Sequence, residues 1–191
     1  MREGVVVIGA SLGGLAAIRT VLGALPADFA LAVVLVQHRR ATEGQDGLRE
    51  ALAAGSRLAV VEAEDKMPLV PGRAHLAPAG YHVLVEQGHL ALSTEGPVRH
   101  SRPSIDVALE SAADSYGERA VAVLLTGSTD EGARGAASVR ARGGKVVVQE
   151  PASAESPVLP RAAEPVANWI VPLDGVAPVL EEIARLFGKE P

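Results

Sequence analysis

Three sets of polar residues stand directly after three apolar runs. Ser11 follows Val5-Val6-Val7-Ile8 inside Gly9-Ala10-Ser11-Leu12-Gly13. His38 ends the run 31–36 after Gln37, and Asp130 and Glu131 follow the run 120–126. A hydroxyl, an imidazole and a carboxylate are the groups acyl transfer needs: a nucleophile, a base that takes its proton, and an acid that fixes the base's tautomer. The serine pentapeptide matches G-x-S-x-G. In that pattern a sharp strand-to-helix turn lifts the hydroxyl above a sheet and leaves N–H groups at the helix start to bind an oxyanion. A side chain at either glycine is expected to clash with the closely approaching backbones of the turn.

Each residue also has a plainer reading. The glycine turn can simply pack a helix on a strand, with Ser11 as its cap. It can also be a phosphate loop, although the spacing G-x-x-x-G-G is neither dinucleotide fingerprint nor P-loop, and no lysine follows. A histidine at a strand end is commonly solvated. An Asp-Glu pair before a helix suits the helix dipole. The joint occurrence at three strand ends is what favours chemistry.

The elements that would position these groups alternate. Strands are expected at 5–8, 31–36, 58–62, 74–77, 120–126, 145–149 and 169–171. Helices are expected at 15–22, 48–54, 107–116, 133–141, 159–163 and 176–187, the third capped by Ser104 with Asp106 in its first turn. Segments 81–86 and 89–93 alternate about Gln87-Gly88 and read as a β-hairpin added antiparallel to the sheet. The whole implies one α/β domain over 1–191, a doubly wound, mostly parallel sheet flanked by helices. Ligands of such sheets bind beyond the carboxyl ends of strands, where Ser11, His38 and Asp130/Glu131 stand.

Aromatic residues make up only 3% of the chain, so the core must be aliphatic, as in helix-covered parallel sheets. The formal net charge is -5 and Lys/Arg are scattered, which argues against a nucleic-acid face. With no cysteine, thiol catalysis and disulfides are excluded. The start runs straight into a strand, and no apolar run reaches the roughly 18 residues of a membrane span, so a cytoplasmic protein without membrane insertion is expected. His75, His82, His89 and His100 lack metal-ligand spacing, although His82 is placed near the pocket. Met67 and Trp169 are expected in the core or at its margin. Arg102 is expected to form a structural ion pair, its alternative being contact with an acidic substrate helix.

Taken together, Ile8-Gly9-Ala10-Ser11-Leu12-Gly13-Gly14, Gln37-His38, Leu76-Ala77-Pro78, Arg102-Pro103-Ser104-Ile105-Asp106-Val107 and Leu125-Thr126-Gly127 through Glu131-Gly132-Ala133 resemble the catalytic domain of the chemotaxis protein-glutamate methylesterases, the CheB family. Gln149, Ala152-Ser153 and Pro160-Arg161-Ala162 extend the match. The resemblance implies a hydrolase of glutamate γ-methyl esters on methyl-accepting chemotaxis receptors, with no metal or organic cofactor. Some members also deamidate receptor glutamines. It implies Ser11 as nucleophile, His38 as general base, and backbone N–H groups near Leu12, Gly13 and the Gly127–Thr129 turn as oxyanion donors.

The sequence departs from the family in four places. The third member of the triad is an Asp directly before Gly-Ala in the family, whereas here Glu131 aligns and Asp130 precedes it, so either acid is a candidate. Leu12 stands where Thr is common. The loop Arg39-Arg40-Ala41-Thr42-Glu43, expected to line the substrate entrance, lacks the usual proline. Many members also carry an N-terminal receiver domain. This chain begins at the catalytic strand, so it is a piece of a longer chain, is regulated by a separate response regulator, or is unregulated. Two alternatives follow from the altered acid and the glycine turn: a catalytically impaired module that binds through the same cleft, or a nucleotide-binding domain.

Overall fold

The computed structural model describes residues 4–39 and 47–189. In chain order the strands are β1 (Val5–Ala10), β2 (Ala32–Gln37), β3 (Ala59–Glu62), β4 (Arg73–Leu76), β5 (His82–Glu86), β6 (His89–Ser93), β7 (Ala120–Leu124), β8 (Lys145–Gln149) and β9 (Trp169–Val171). The helices are α1 (Gly14–Ala24), α2 (Leu48–Ala53), α3 (Ile105–Tyr116), α4 (Ala133–Ala141), α5 (Val158–Ala163) and α6 (Val176–Lys189).

Seven strands form one parallel sheet in the order β3-β4-β2-β1-β7-β8-β9. From β1 the chain first adds β2, then the edge strand β3 and β4 between them, and afterwards returns to add β7, β8 and β9 on the other side. The order therefore reverses at β1, and the crevice beyond its carboxyl end is the topological switch point of a doubly wound sheet. β1 explains itself by composition. Val6 and Ile8 enter the core that holds α1 and α6, and Val5 and Val7 enter the core that holds α3, α4 and α5. A strand buried on both faces has no use for polar alternation. Burying each of these side chains contributes roughly 1.5–3 kcal/mol.

The hairpin forms, but not at an edge of the main sheet. Among the named strands β5 and β6 pair only with each other; β5 lies against α3, and His89 of β6 makes an antiparallel bridge to Pro68. Val83, Val85 and Leu90 share a core with Leu109 and Ala112, and the Val85 amide donates to Ser111 Oγ at 2.9 Å. The apolar face of the hairpin is satisfied by a helix, so edge pairing adds nothing. Trp169 sits at the margin of the first core, partly buried against it. Among the described residues no helix is long and apolar enough to cross a membrane.

Candidate active site

The hydrogen-bond ladder of the sheet runs one step past the ends of β1, β2 and β7. His38 N donates to Ala10 O, Leu125 N to Gly9 O, and Ser11 N to Thr126 O, each at 3.0 Å. Ser11, His38 and Thr126 are thereby fixed in register at one sheet edge. Side chains then hold the serine turn. Gln37 Nε2 donates to the carbonyls of Ser11 at 2.8 Å and His38 at 3.1 Å, and Thr126 Oγ1 donates to Leu12 O at 2.8 Å. Gln37 and Thr126 both fall in stretches that carry the family resemblance, but the sequence assigns neither a role; the signal for one is position, a polar residue at the carboxyl end of a strand flanking β1.

Helix α1 begins at Gly14, and its N-cap is Gly13, with no side-chain cap. Ser11 therefore does not cap the helix, and its hydroxyl is left for other work. Among the described residues the Leu12 and Gly13 amides have no hydrogen-bond acceptor, which suits them as oxyanion donors. Gly127 lies against Ser11, since a Cβ built there would meet Ser11 Cβ at 3.2 Å.

The two motif glycines are needed for reasons the turn alone does not supply. A Cβ at Gly9 would fall 2.4 Å from Ile105 Cγ2, so it is α3, not the turn's own backbone, that approaches closely. Gly13 has φ +77°, and a Cβ there would meet Glu155 Oε2 at 2.5 Å.

Glu131, not Asp130, reaches the histidine. Glu131 Oε2 lies 2.6 Å from His38 Nε2. The carboxylate is buried, 1% exposed, and accepts three further hydrogen bonds at the start of α3: from Ser104 Oγ at 2.5 Å, Ile105 N at 3.0 Å and Asp106 N at 2.8 Å. Burial alone would push this carboxyl up, but the hydrogen bonds from His38, Ser104 and the Asp106 amide outweigh it and hold Glu131 below the ordinary glutamate range. An ionised Glu131 only accepts, so it selects the histidine tautomer with a proton on Nε2 and leaves the lone pair on Nδ1. The structure has no hydrogen bond between the Ser11 hydroxyl and His38. Such contacts commonly tighten only in the substrate complex.

Asp130 is half exposed and pairs with Arg99 at 2.6 Å, which lowers its carboxyl. Ser104 is the expected N-cap, accepting from Val107 N at 3.2 Å, and its link to Glu131 is an addition the sequence does not announce. His82 stands behind it: Ser104 N donates to His82 Nδ1 at 3.2 Å, and His82 Nε2 bonds Gly96 O at 3.0 Å. Asp106 stands in the first turn of α3 as expected, and its Oδ1 also accepts from Gly132 N at 2.9 Å and Gly135 N at 2.8 Å. Its Oδ2 is buried without a hydrogen-bond partner, and burial pushes this carboxyl above the ordinary aspartate range.

Of the expected entrance loop, Arg40 to Glu43 lie outside the described residues. Arg39 is buried, paired with Glu62 at 2.6 Å and bonded to Ala77 O at 2.8 Å. Among the described residues Arg102 forms no ion pair. Its Nη1 donates to the carbonyls of Thr94 and Glu95, because the loop leaving β6 folds back over it. Among the described residues no three His, Asp or Glu side chains converge as a metal site.

Known proteins carry the same architecture. A family model described as CheB methylesterase matches residues 6–180. A putative protein-glutamate methylesterase/protein-glutamine glutaminase of Leptospira interrogans is 37% identical over 183 residues, covering 95% of this chain and 92% of its own. Protein-glutamate methylesterase/protein-glutamine glutaminase 2 of Anaeromyxobacter dehalogenans is 40% identical over 96% of this chain, which spans only 54% of that protein. The crystal structure of the Thermotoga maritima CheB methylesterase catalytic domain superposes with a TM-score of 0.90 at 29% identity, covering 96% of this chain and all of the other. On the sequence match and the shared fold, this chain belongs to the CheB methylesterase family.

Proposed function

We propose that the chain is a serine esterase that hydrolyses glutamate γ-methyl esters on methyl-accepting chemotaxis receptors in the cytoplasm, with Ser11, His38 and Glu131 as its catalytic residues. The observation that carries this reading is the 2.6 Å bond from His38 to the buried Glu131 at the sheet edge that also holds Ser11. The names of the relatives support the choice of ester. Glutamine deamidation, which also appears in those names, uses the same acyl chemistry with ammonia as leaving group.

The mechanism is acyl transfer in two steps. His38 Nδ1 takes the proton of Ser11 as its oxygen adds to the ester carbonyl. Glu131 steadies the imidazolium that forms, and the Leu12 and Gly13 amides hold the oxyanion. The tetrahedral adduct collapses, methoxide leaves with the proton from His38, and the glutamyl group remains on Ser11. Water, deprotonated by His38, then adds to that ester, and collapse returns Ser11 and a free γ-carboxylate. Losing one oxyanion donor in such a site costs on the order of 3 kcal/mol.

The test is methanol release from a methylated receptor fragment, alongside labelling by a serine-directed phosphonate. Wild type is expected to release methanol and to be labelled at Ser11, and Ser11→Ala to do neither while keeping its fold. Full methanol release by Ser11→Ala would sink the proposal.

A further inference from the structure

The cavity beside His38 holds a cationic group that pairs with no carboxylate among the described residues. It encloses about 370 Å³, and its lining includes His38, Arg39, His100, Ser101 and Arg102. Arg39 is neutralised by Glu62. Arg102 is not: its Nη1 donates to Thr94 O and Glu95 O, both at 3.0 Å, and among the described residues no carboxylate lies within 4.0 Å of it. Two carbonyls hold one nitrogen of a rigid planar fork. The N–H groups of Nε and Nη2 remain, and that edge of a guanidinium matches a carboxylate bidentately.

His100 and Ser101 reach the cavity from a two-residue turn in which Val98 and Ser101 exchange backbone hydrogen bonds, with Arg99 at φ 47° and His100 at φ 69°. Left-handed backbone at two consecutive non-glycine residues is strained, and such strain gathers at functional sites. A cationic lining also runs against the net charge of -5 on the chain.

We propose that Arg102 and the cavity it lines form a subsite for a carboxylate of the substrate, so that the favoured ester lies among free acidic side chains of a peptide. The inference deepens the esterase reading and rests on it. The competing role for Arg102 is as a staple for the loop that supplies the two carbonyls, and the two roles separate by substrate charge. A staple serves every substrate alike, whereas a carboxylate subsite serves only acidic ones.

The experiment uses two peptides, each with one glutamate γ-methyl ester, flanked by glutamates in one and by serines in the other. Wild type is expected to show a kcat/KM about tenfold higher on the acidic peptide, as one charge-assisted pair supplies, with the preference shrinking as salt is raised. Arg102→Gln is expected to lose the preference while its kcat/KM on the serine-flanked peptide stays within about twofold of wild type. Arg102→Lys guards against a folding defect. It keeps the charge, and a reduced preference for the acidic peptide is expected to survive. Equal slowing of both peptides in either variant, or an undiminished preference in Arg102→Gln, would overturn the subsite.

A binding arm separates this inference from the reading beneath it. The acidic peptide is titrated calorimetrically into Ser11→Ala and into Ser11→Ala/Arg102→Gln, with Kd expected to rise about tenfold. Arg102-dependent binding without methanol release by wild type keeps the subsite and removes the esterase. Methanol release from both peptides at equal rates, with Kd indifferent to Arg102, does the reverse.

Discussion

Glu131 and Asp106 each bind the N-terminus of the helix that the other precedes or opens. Glu131, just before α4, accepts from the Ser104 hydroxyl and from the Ile105 and Asp106 amides at the start of α3. Asp106, in the first turn of α3, accepts from the Gly132 and Gly135 amides at the start of α4. Both carboxylates gain the favourable end of a helix dipole and satisfy otherwise unpaired N–H groups. The exchange locks the two helices together and leaves one oxygen of Glu131 on His38. An acid with one more methylene than the family's Asp is thereby brought to the imidazole.

Glu131 and Asp130 are expected to separate cleanly in turnover. Glu131→Ala removes the partner of the imidazole and should lower kcat on the order of 10²–10⁴-fold, as loss of an orienting acid does elsewhere. Asp130→Ala removes only the exposed pair with Arg99 and should leave kcat within about threefold. Methanol release measured for both variants at saturating ester checks this, and the opposite ranking would reassign the acid.

The exchanged carboxylates are expected to pull acid stability in opposite directions. Glu131 titrates lower in the folded chain than in the unfolded one, so its contribution is present above the unfolded value and disappears as pH falls through the folded value. Asp106 titrates higher when folded, so its contribution falls as pH rises from the unfolded value to the folded one. Urea midpoints between about pH 2 and 6 should therefore lose part of their acid slope in Glu131→Gln and steepen in Asp106→Asn.

Which features are legible in the sequence follows from the range of the interactions behind them. Ser11 and His38 can be read because each ends a strand whose continuous apolar run marks burial on both faces. The hairpin can be read from alternation about Gln87-Gly88. Its location cannot, because its partner is the face of α3 rather than a strand edge. Adjacent carboxylates look alike in sequence. Only the packing of α3 on α4 turns Glu131 inward and leaves Asp130 outside with Arg99. Arg102 shows the same limit: an arginine held by carbonyls and one held by a carboxylate have the same spelling.

Gly9 offers a test of how far that packing controls the site. Gly9→Ala would place a methyl 2.4 Å from Ile105 Cγ2, displacing the residue whose amide binds Glu131. The variant is expected to lose about 1–3 kcal/mol of stability, together with activity. Ile105→Ala in the same chain makes room and should recover part of both, whereas additive losses in the double variant would mean the contact is not the cause.

His75 carries a separate prediction at milder pH. The side chain is fully buried, with Nδ1 bonded to Val33 O at 3.1 Å and Nε2 unpartnered, and burial lowers its pKa from the ordinary 6.5. Its folded value lies below its unfolded value, so stability is full above the unfolded value and falls as pH drops from there through the folded one. Thermal unfolding of wild type should weaken between about pH 7 and 5, and His75→Leu should flatten that part of the curve.

The closeness of α4 to α3 at Gly135 has a wider consequence. A Cβ there would sit 2.6 Å from Leu109 Cβ and 3.0 Å from Asp106 Cα, so the seam between the helices has no slack. Ala108, Ala112 and Ala136, small and buried, share the core on which it rests. The aim of the acid at His38 is thus a property of interior volume as much as of the residues that do the chemistry.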